Sequence, residues 1–254
     1  MVHSTVPLAS KLPKAHGLLS TMTMTRCREL LAEFPVDPEV ARKVVPPTYS
    51  VRVYPTMHAI LLLLVQECER CVLDKVLAIR PMRMAHLWIE LAGPDEIGPA
   101  LPGTSSSLPT SYWYAMPHQM ESRLAALSFR SAGIDIQRVA SVSSGGAPGV
   151  RRHGEVLEHA KSGAGYVWDE DTPLWPSPEI LTGRRWFYRD YGGSIPRRSV
   201  GLVVCHAAFL GNGEITLSAT RDSAAGALGF GTTLHGTTRA VEITCDVRIQ
   251  VGRS

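Results

Sequence analysis

Met82-Arg83-Met84-Ala85-His86-Leu87-Trp88-Ile89-Glu90-Leu91 is the stretch whose reading decides the fold. Side chains alternate faces along a strand, so Met84, His86, Trp88 and Glu90 point one way while Ala85, Leu87, Ile89 and Leu91 point the other. The second face is wholly apolar and calls for a core. The first carries an imidazole, an indole and a carboxylate within three consecutive steps. Inside a barrel, that face lines a cavity with titratable groups set against apolar walls. On an outer surface, it is a solvated face with an amphipathic tryptophan. The first arrangement makes His86 and Glu90 candidate catalytic residues and gives Met84 and Trp88 to substrate binding.

Strand signals extend to both sides of this stretch. Ser50 to Tyr54 and His58 to Gln66 are rich in branched and aromatic residues with a turn at Pro55, and Val72 to Leu91 reads as one long or bent strand or a pair. Residues 93 to 110, rich in proline, glycine and serine, predict a loop of about 18 residues, long enough to act as a lid. Next comes Tyr112-Trp113-Tyr114-Ala115-Met116-Pro117-His118-Gln119. Its rings suit the wall of an apolar ligand site and its tips present donors, with aromatic packing of the loop onto the sheet as the other reading. Tyr112, Trp113 and Tyr114 are therefore candidate substrate-binding residues. In a barrel, His118 or Tyr114 would approach His86, which adds His118 to the catalytic candidates.

Pro117 to Ala132, with Met120, Leu124, Leu127 and Phe129 near helical spacing, predicts the main helix, stopped by Gly133. Short strands are expected around Ile134 to Val142, Glu155 to His159, Tyr166 to Trp168, Arg184 to Tyr188, Ser199 to Phe209, Glu214 to Ala219 and Val241 to Val251. Asp222 to Leu228 reads as a helical turn. Upstream, Thr25 predicts the cap of a short helix carrying Leu30, Leu31 and Phe34, and Asp37-Pro38 places a cap and a first-turn proline before Glu39 to Val45, stopped by Pro46-Pro47. Residues 1 to 24 show no period and predict an N-terminal arm. Residues 25 to 254 then form one domain of α+β class: a mainly antiparallel β-barrel with one main helix and short peripheral helices. Open barrel edges and the arm together predict a homo-oligomer.

Composition narrows the function. Hydrophobic residues are 44% and charged residues 19% of the chain, values of a folded globule rather than a disordered segment. A net charge of +3, with arginine pairs scattered singly, argues against nucleic acid as a partner. The longest apolar run, Ala59 to Val65, has seven residues against the roughly 20 of a spanning helix, so no membrane partner is expected. Cys27, Cys68, Cys71, Cys205 and Cys245 lack framework spacing, and no N-terminal stretch has the apolar centre of a signal peptide. Both point to a reducing cytoplasm. Cys68-Glu69-Arg70-Cys71 is half a zinc site without its other half, and the glycine-rich runs fit no phosphate-binding fingerprint, so neither metal nor cofactor is expected.

Val36-Asp37-Pro38-Glu39-Val40-Ala41 leading to Val45-Pro46-Pro47, the strand pair that follows, a single helix ahead of the second half's strands, and Gly213-Glu214-Ile215-Thr216-Leu217 leading to Val241 to Val251 together resemble the acetoacetate decarboxylase-like superfamily. The resemblance covers most of residues 35 to 251. It implies a cone-shaped barrel and an enzyme. Those decarboxylases use a Schiff-base lysine just after the equivalent helix, where this chain reads Ser131-Ala132-Gly133-Ile134-Asp135-Ile136. Lys75, beside Asp74 and ahead of the helix, is no replacement. The expectation is a small-molecule enzyme of lyase, dehydratase, isomerase or cyclase type, of the kind that serves secondary metabolism. It would act without a cofactor on a largely apolar carbonyl-bearing or polyunsaturated substrate by acid and base chemistry. The alternative is a non-catalytic binding protein for a hydrophobic small molecule.

Overall fold

The computed structural model describes residues 18–47, 49–73, 77–79, 81–92, 110–131, 136–145, 151–171, 176–189, 197–210, 213–240 and 242–253. The arm's first seventeen residues, the 93–109 part of the long loop, and Gly133 lie outside the described residues. In chain order the elements are β1 (Leu18–Val36), α1 (Pro38–Val44), β2 (Ala59–Leu73), β3 (Leu77–Ile79), β4 (Met82–Glu90), β5 (Thr110–Ala115), β6 (His118–Met120), α2 (Arg123–Ser131), β7 (Ile136–Arg138), β8 (Ser141–Gly145), β9 (His153–His159), β10 (Ala164–Glu170), β11 (Pro176–Arg189), β12 (Arg197–Leu210), β13 (Gly213–Ala219), α3 (Ala224–Ala227), β14 (Thr233–Ala240) and β15 (Glu242–Arg253). No described helix is long and apolar enough to cross a membrane.

The pairings return on themselves. β1 pairs with β2, β2 with β4, β4 with β5, β5 with β11, β11 with β12, β12 with β15, and β15 with the first half of β1. These strands therefore form a ring. Further along β1, Leu31, Ala32 and Glu33 give the edge that β15 has left to β14, which continues through β13, β10 and β9 to β8. A second layer thus grows out of a strand of the ring. The main core lies between the two. It joins Leu30, Ala32, Phe34, Leu61, Leu63, Ala85, Leu87 and Ile89 from the outside of the ring to Val156, Tyr166, Trp168, Ile215 and Leu217 of the second layer. A smaller cluster, Ile60, Leu62, Leu64, Trp88, Trp113 and Ala115, occupies the opposite face of β2, β4 and β5, which looks into the ring.

Local chemistry accounts for the helices. The Asp37 carboxylate accepts from the Glu39 amide at 2.8 Å and Pro38 opens α1, as the sequence predicts, while Ser223 caps α3 by accepting from Gly226 at 3.1 Å.

Four sequence expectations are corrected. The sheet is mainly antiparallel as expected but mixed, since β5 runs parallel to β11 and β6 to β7. Thr25 caps no helix, because Leu30, Leu31 and Phe34 belong to β1. That strand buries Leu30, Ala32 and Phe34 outward and packs Leu31 inward, and apolar residues on both faces imitate helical spacing. The main helix is shorter than Pro117 to Ala132, because His118 to Met120 is drawn into β6 by pairing with β4. Ser50 to Tyr54 contributes one isolated bridge, Val51 with Leu91, instead of a strand. The sequence reading also missed β14, whose Thr233 to Ala240 has little apolar content. Leu18 to Met24, placed by sequence in the arm, are part of β1.

Packing in the second layer is close enough to exclude a methyl group. A Cβ on Gly154 would lie 2.0 Å from Cζ2 of the buried Trp168 ring and 2.4 Å from the Ser143 carbonyl oxygen. Gly154→Ala should therefore cost about 1–3 kcal/mol through overpacking, read as a lower urea midpoint at unchanged m-value. An unchanged midpoint would contradict the packing described.

Candidate functional site

Strand register builds the site on the inner face of the ring. Leu64 stands opposite His86 and Gln66 opposite Met84, while Glu29 of β1 stands opposite Gln66. On the other edge of β4, Trp88, Ile89 and Glu90 pair with Ala115, Tyr114 and Trp113. One residue is then inserted at Met116-Pro117, so that Met84 and Ala85 pair with Met120 and Gln119. Continued by one step, that register sets His118 directly opposite His86.

Four side chains follow from one another across these strands. Gln66 Nε2 donates to the Glu29 carboxylate. Gln66 Oε1 lies 3.1 Å from His86 Nε2, and His86 Nδ1 lies 2.5 Å from His118 Nδ1. A carboxylate only accepts, so Gln66 must turn its amide nitrogen to Glu29 and its carbonyl oxygen to His86. That oxygen needs a donor, which puts the hydrogen of a neutral His86 on Nε2 and leaves Nδ1 as the acceptor. His118 then donates from Nδ1 and carries its lone pair on Nε2. The carboxylate at one end thus sets the tautomer at the other. Glu29, Gln66 and His86 are buried and His118 is partly exposed.

The remaining candidates divide between the two faces. Met84, Trp88 and Trp113 share the inner face with His86: the Trp88 ring is 5.2 Å from the His86 ring and 6.2 Å from Trp113. Tyr114 faces the main core, where it packs on Tyr49 at 5.7 Å, and Tyr112 packs against the same core. Glu90 is on the inner face, but four residues from His86 is about 13 Å along a strand. Its carboxylate accepts from Arg52 Nη1 at 3.0 Å and from Tyr54 Oη at 2.8 Å. Arg52 also lies over the Tyr54 ring, 5.1 Å from its centre. Glu90 is thus held apart from the imidazoles by Trp88. Burial and the neighbouring Glu90 raise the Tyr54 hydroxyl pKa above 10.0.

Glu29 and Gln66 are the members that sequence reading missed. Gln66 was detectable as the polar residue on the even-numbered face of Ile60, Leu62, Leu64, Gln66 and Cys68. Glu29 could not be found once its segment had been read as a helix. Cys68 is bonded to Cys27, opposite it on β1, rather than standing as an unpaired thiol near Cys71. Cys71 is buried, and burial pushes its thiol up to about 12. Among the described residues no three of His, Cys, Asp and Glu are grouped to hold a metal.

A second buried polar network backs the site from the core side. Gln119, next to His118 but facing the other way, receives the Tyr166 hydroxyl at 2.5 Å and donates to Glu158 at 2.8 Å. Both Glu158 oxygens accept from the Ala224 amide at the start of α3, at 2.8 and 3.0 Å. β6 is thereby tied to β9, β10 and α3. Burial and the Glu158 charge hold the Tyr166 pKa well above 10.0. A groove of about 600 Å³ opens beside Glu158, lined by Arg138, Val139, His159 and Lys161 among others, and among the described residues none of the inner face borders it.

No family model and no curated protein matches the chain. Solved structures do. An acetoacetate decarboxylase from Legionella pneumophila superposes with a TM-score of 0.57 at 8% identity, over 99% of this chain and 93% of that one. A second acetoacetate decarboxylase gives 0.55 at 11% identity, over 97% and 98%. The enduracididine biosynthesis enzyme MppR gives 0.51 at 10% identity, over 99% and 97%. The fold is therefore acetoacetate decarboxylase-like over essentially the whole chain. Among the described residues, Lys43 on α1 and Lys161 in the β9–β10 turn are exposed and remote from the inner face.

The two raised tyrosines give the fold an alkaline limit. A group whose pKa is higher folded than unfolded contributes stability that is complete below its unfolded value and is lost as pH rises through the folded one. Urea midpoints should begin to fall above the unfolded thiol value of 9.0, through Cys71, and fall more steeply above the unfolded tyrosine value of 10.0. Tyr166→Phe should flatten that fall while costing about 1–3 kcal/mol at neutral pH, since Gln119 Oε1 loses its donor. An alkaline slope unaltered by the substitution would contradict this assignment.

Proposed function

We propose that the chain is a small-molecule enzyme in which His118, held by His86, acts as general base on a largely apolar carbonyl-bearing or polyunsaturated substrate inside the ring. The observation that carries this reading is the ordered sequence Glu29, Gln66, His86, His118 across β1, β2, β4 and β6. A partly exposed imidazole with a defined lone pair, held by a buried one packed on Trp88, suits proton abstraction from a carbon made acidic by a carbonyl or a conjugated system. The fold shared with two decarboxylases and a biosynthetic enzyme supports an enzyme of that general kind.

The proton has a defined route. His118 Nε2 takes it from substrate carbon, and the charge that results is shared with His86, because the hydrogen on His118 Nδ1 lies on the short contact to His86 Nδ1. Gln66 accepts from His86 Nε2 and cannot pass a proton further, so the histidine pair holds one proton and returns it at a new position. Such a transfer serves lyases, dehydratases, isomerases and cyclases alike and requires no cofactor. Glu90 is a positioning group in this scheme, because Arg52 and Tyr54 already engage both of its oxygens.

The test is a crossed set of variants against a substrate found by screening carbonyl and polyene compounds. His118→Gln and His86→Gln should each lower turnover about a hundredfold or more with little change in melting temperature. Leu87→Ala, on the core side of the same strand, should cost about 2–5 kcal/mol while the folded fraction keeps near-normal turnover. Full turnover in both histidine variants would exclude the proposed base. A ligand bound and recovered unchanged would instead assign the ring to binding without turnover.

A further inference from the structure

The groove beside Glu158 has no part in the proposed reaction. One wall is Arg138 to Ala140 at the end of β7, and the other is the end of β9 with the turn that follows, His159 to Ser162. Backbone hydrogen bonds fix both walls. The Ala140 amide donates to the Leu157 carbonyl at 2.7 Å, the Val139 amide to the Met120 carbonyl at 3.0 Å, and the Gly163 amide to the His159 carbonyl at 2.9 Å. The groove is therefore preformed, and its volume of about 600 Å³ falls within the roughly 300–1,000 Å³ of small-molecule sites.

Its charge is one-sided. Arg138, His159 and Lys161 line it from both walls and are exposed. Among the described residues, none of these three side chains has a hydrogen bond or an ion pair. Elsewhere Arg26, Arg42, Arg52, Arg83 and Arg152 each meet a carboxylate. The acid among the described lining residues is Glu158, and it is no counterion to the three. It is buried, and its oxygens accept from the Gln119 side chain and the Ala224 amide, with Gln137 Nε2 at 3.4 Å. What the groove has to offer a ligand is therefore donors: a guanidinium, an ammonium, an imidazole and the Ser162 hydroxyl.

We propose that this groove binds a small oxyanionic molecule, one that carries a phosphate or a pair of carboxylates on a compact body. Arg138 presents a planar fork of N–H donors that matches two oxygens of a carboxylate or phosphate, and Lys161 brings a point charge from the facing wall. His159 and Ser162 add two further donors. Val139 and Ala140 give the body of the ligand an apolar surface to lie on. The groove does not border His86 or His118, so the inference stands apart from the reaction assigned to the ring.

The test is isothermal titration calorimetry with sodium pyrophosphate and with citrate as probes, at an ionic strength held constant with sodium chloride so that general screening is the same throughout. Wild-type protein should bind at least one of them at one site per chain. Pyrophosphate alone would assign a phosphate ligand, and citrate alone a polycarboxylate. Arg138→Gln and Lys161→Gln should each weaken that binding about tenfold through loss of a charge-assisted hydrogen bond, while Lys43→Gln on α1 leaves it unchanged. All three variants should melt with the wild type, because the side chains replaced are exposed. No saturable binding of either probe overturns the proposal, and so does an affinity that either groove substitution leaves unchanged or that Lys43→Gln weakens equally. A lower melting temperature in either groove variant overturns it too, because that side chain would then be engaged within the protein.

Discussion

The pairing of β1 with β2 is the constraint on which the rest depends. It runs from Met22 opposite Leu73 to Val36 opposite Ala59, and it decides which residues of both strands look into the ring. Leu30, Ala32, Phe34 and Val36 go to the core with Val65, Leu63, Leu61 and Ala59. Glu29 and Leu31 go inward with Gln66 and Leu64. A slip of one residue on β1 would reverse both sets, driving Glu29 into the core and Phe34 into the ring. Burying an unpaired carboxylate costs several kcal/mol or forces it neutral, so the register is strongly specified. The same strand closes the ring through β15 and starts the second layer through β14, and it thereby positions the core as well as the site.

Each strand of this region is buried on both faces, and the faces do different work. On β4 and the residue after it the odd positions from Ala85 to Leu91 are core, while the even ones carry the candidate site residues. Under the proposed function, stability and turnover can therefore be altered separately on neighbouring residues. The inner face itself has two polar ends, Glu29 to His118 at one and Arg52, Tyr54 and Glu90 at the other, with Trp88, Trp113 and Leu62 between them. An apolar middle flanked by polar groups is what supports the proposal of a largely apolar carbonyl-bearing or polyunsaturated substrate.

The sequence made β4 legible because its alternation is clean, and the approach of His118 to His86 was legible from the aromatic cluster that follows the long loop. Proline-capped α1 and the short turn at α3 were legible from local chemistry. What failed was whatever depended on partners distant in sequence. β1 looked helical because two different environments filled its two faces. His118 to Met120 looked like the start of a helix until β4 claimed it. Glu29 became visible only with the register of β1, and the Cys27–Cys68 bond only with the pairing of β1 and β2. Neither property has a local signature.

The central claim is that Glu29, acting through Gln66, fixes the tautomers of His86 and His118, and nitrogen-15 NMR of the two imidazoles reads it most directly. In the neutral protein, His86 should show a protonated Nε2 and a pyridine-like Nδ1, and His118 a protonated Nδ1 and a pyridine-like Nε2. Glu29→Gln should disturb that pattern, because a carboxamide no longer dictates the orientation of Gln66. A hydrogen on His86 Nδ1 in the unaltered protein, or a pattern indifferent to Glu29→Gln, would contradict the account.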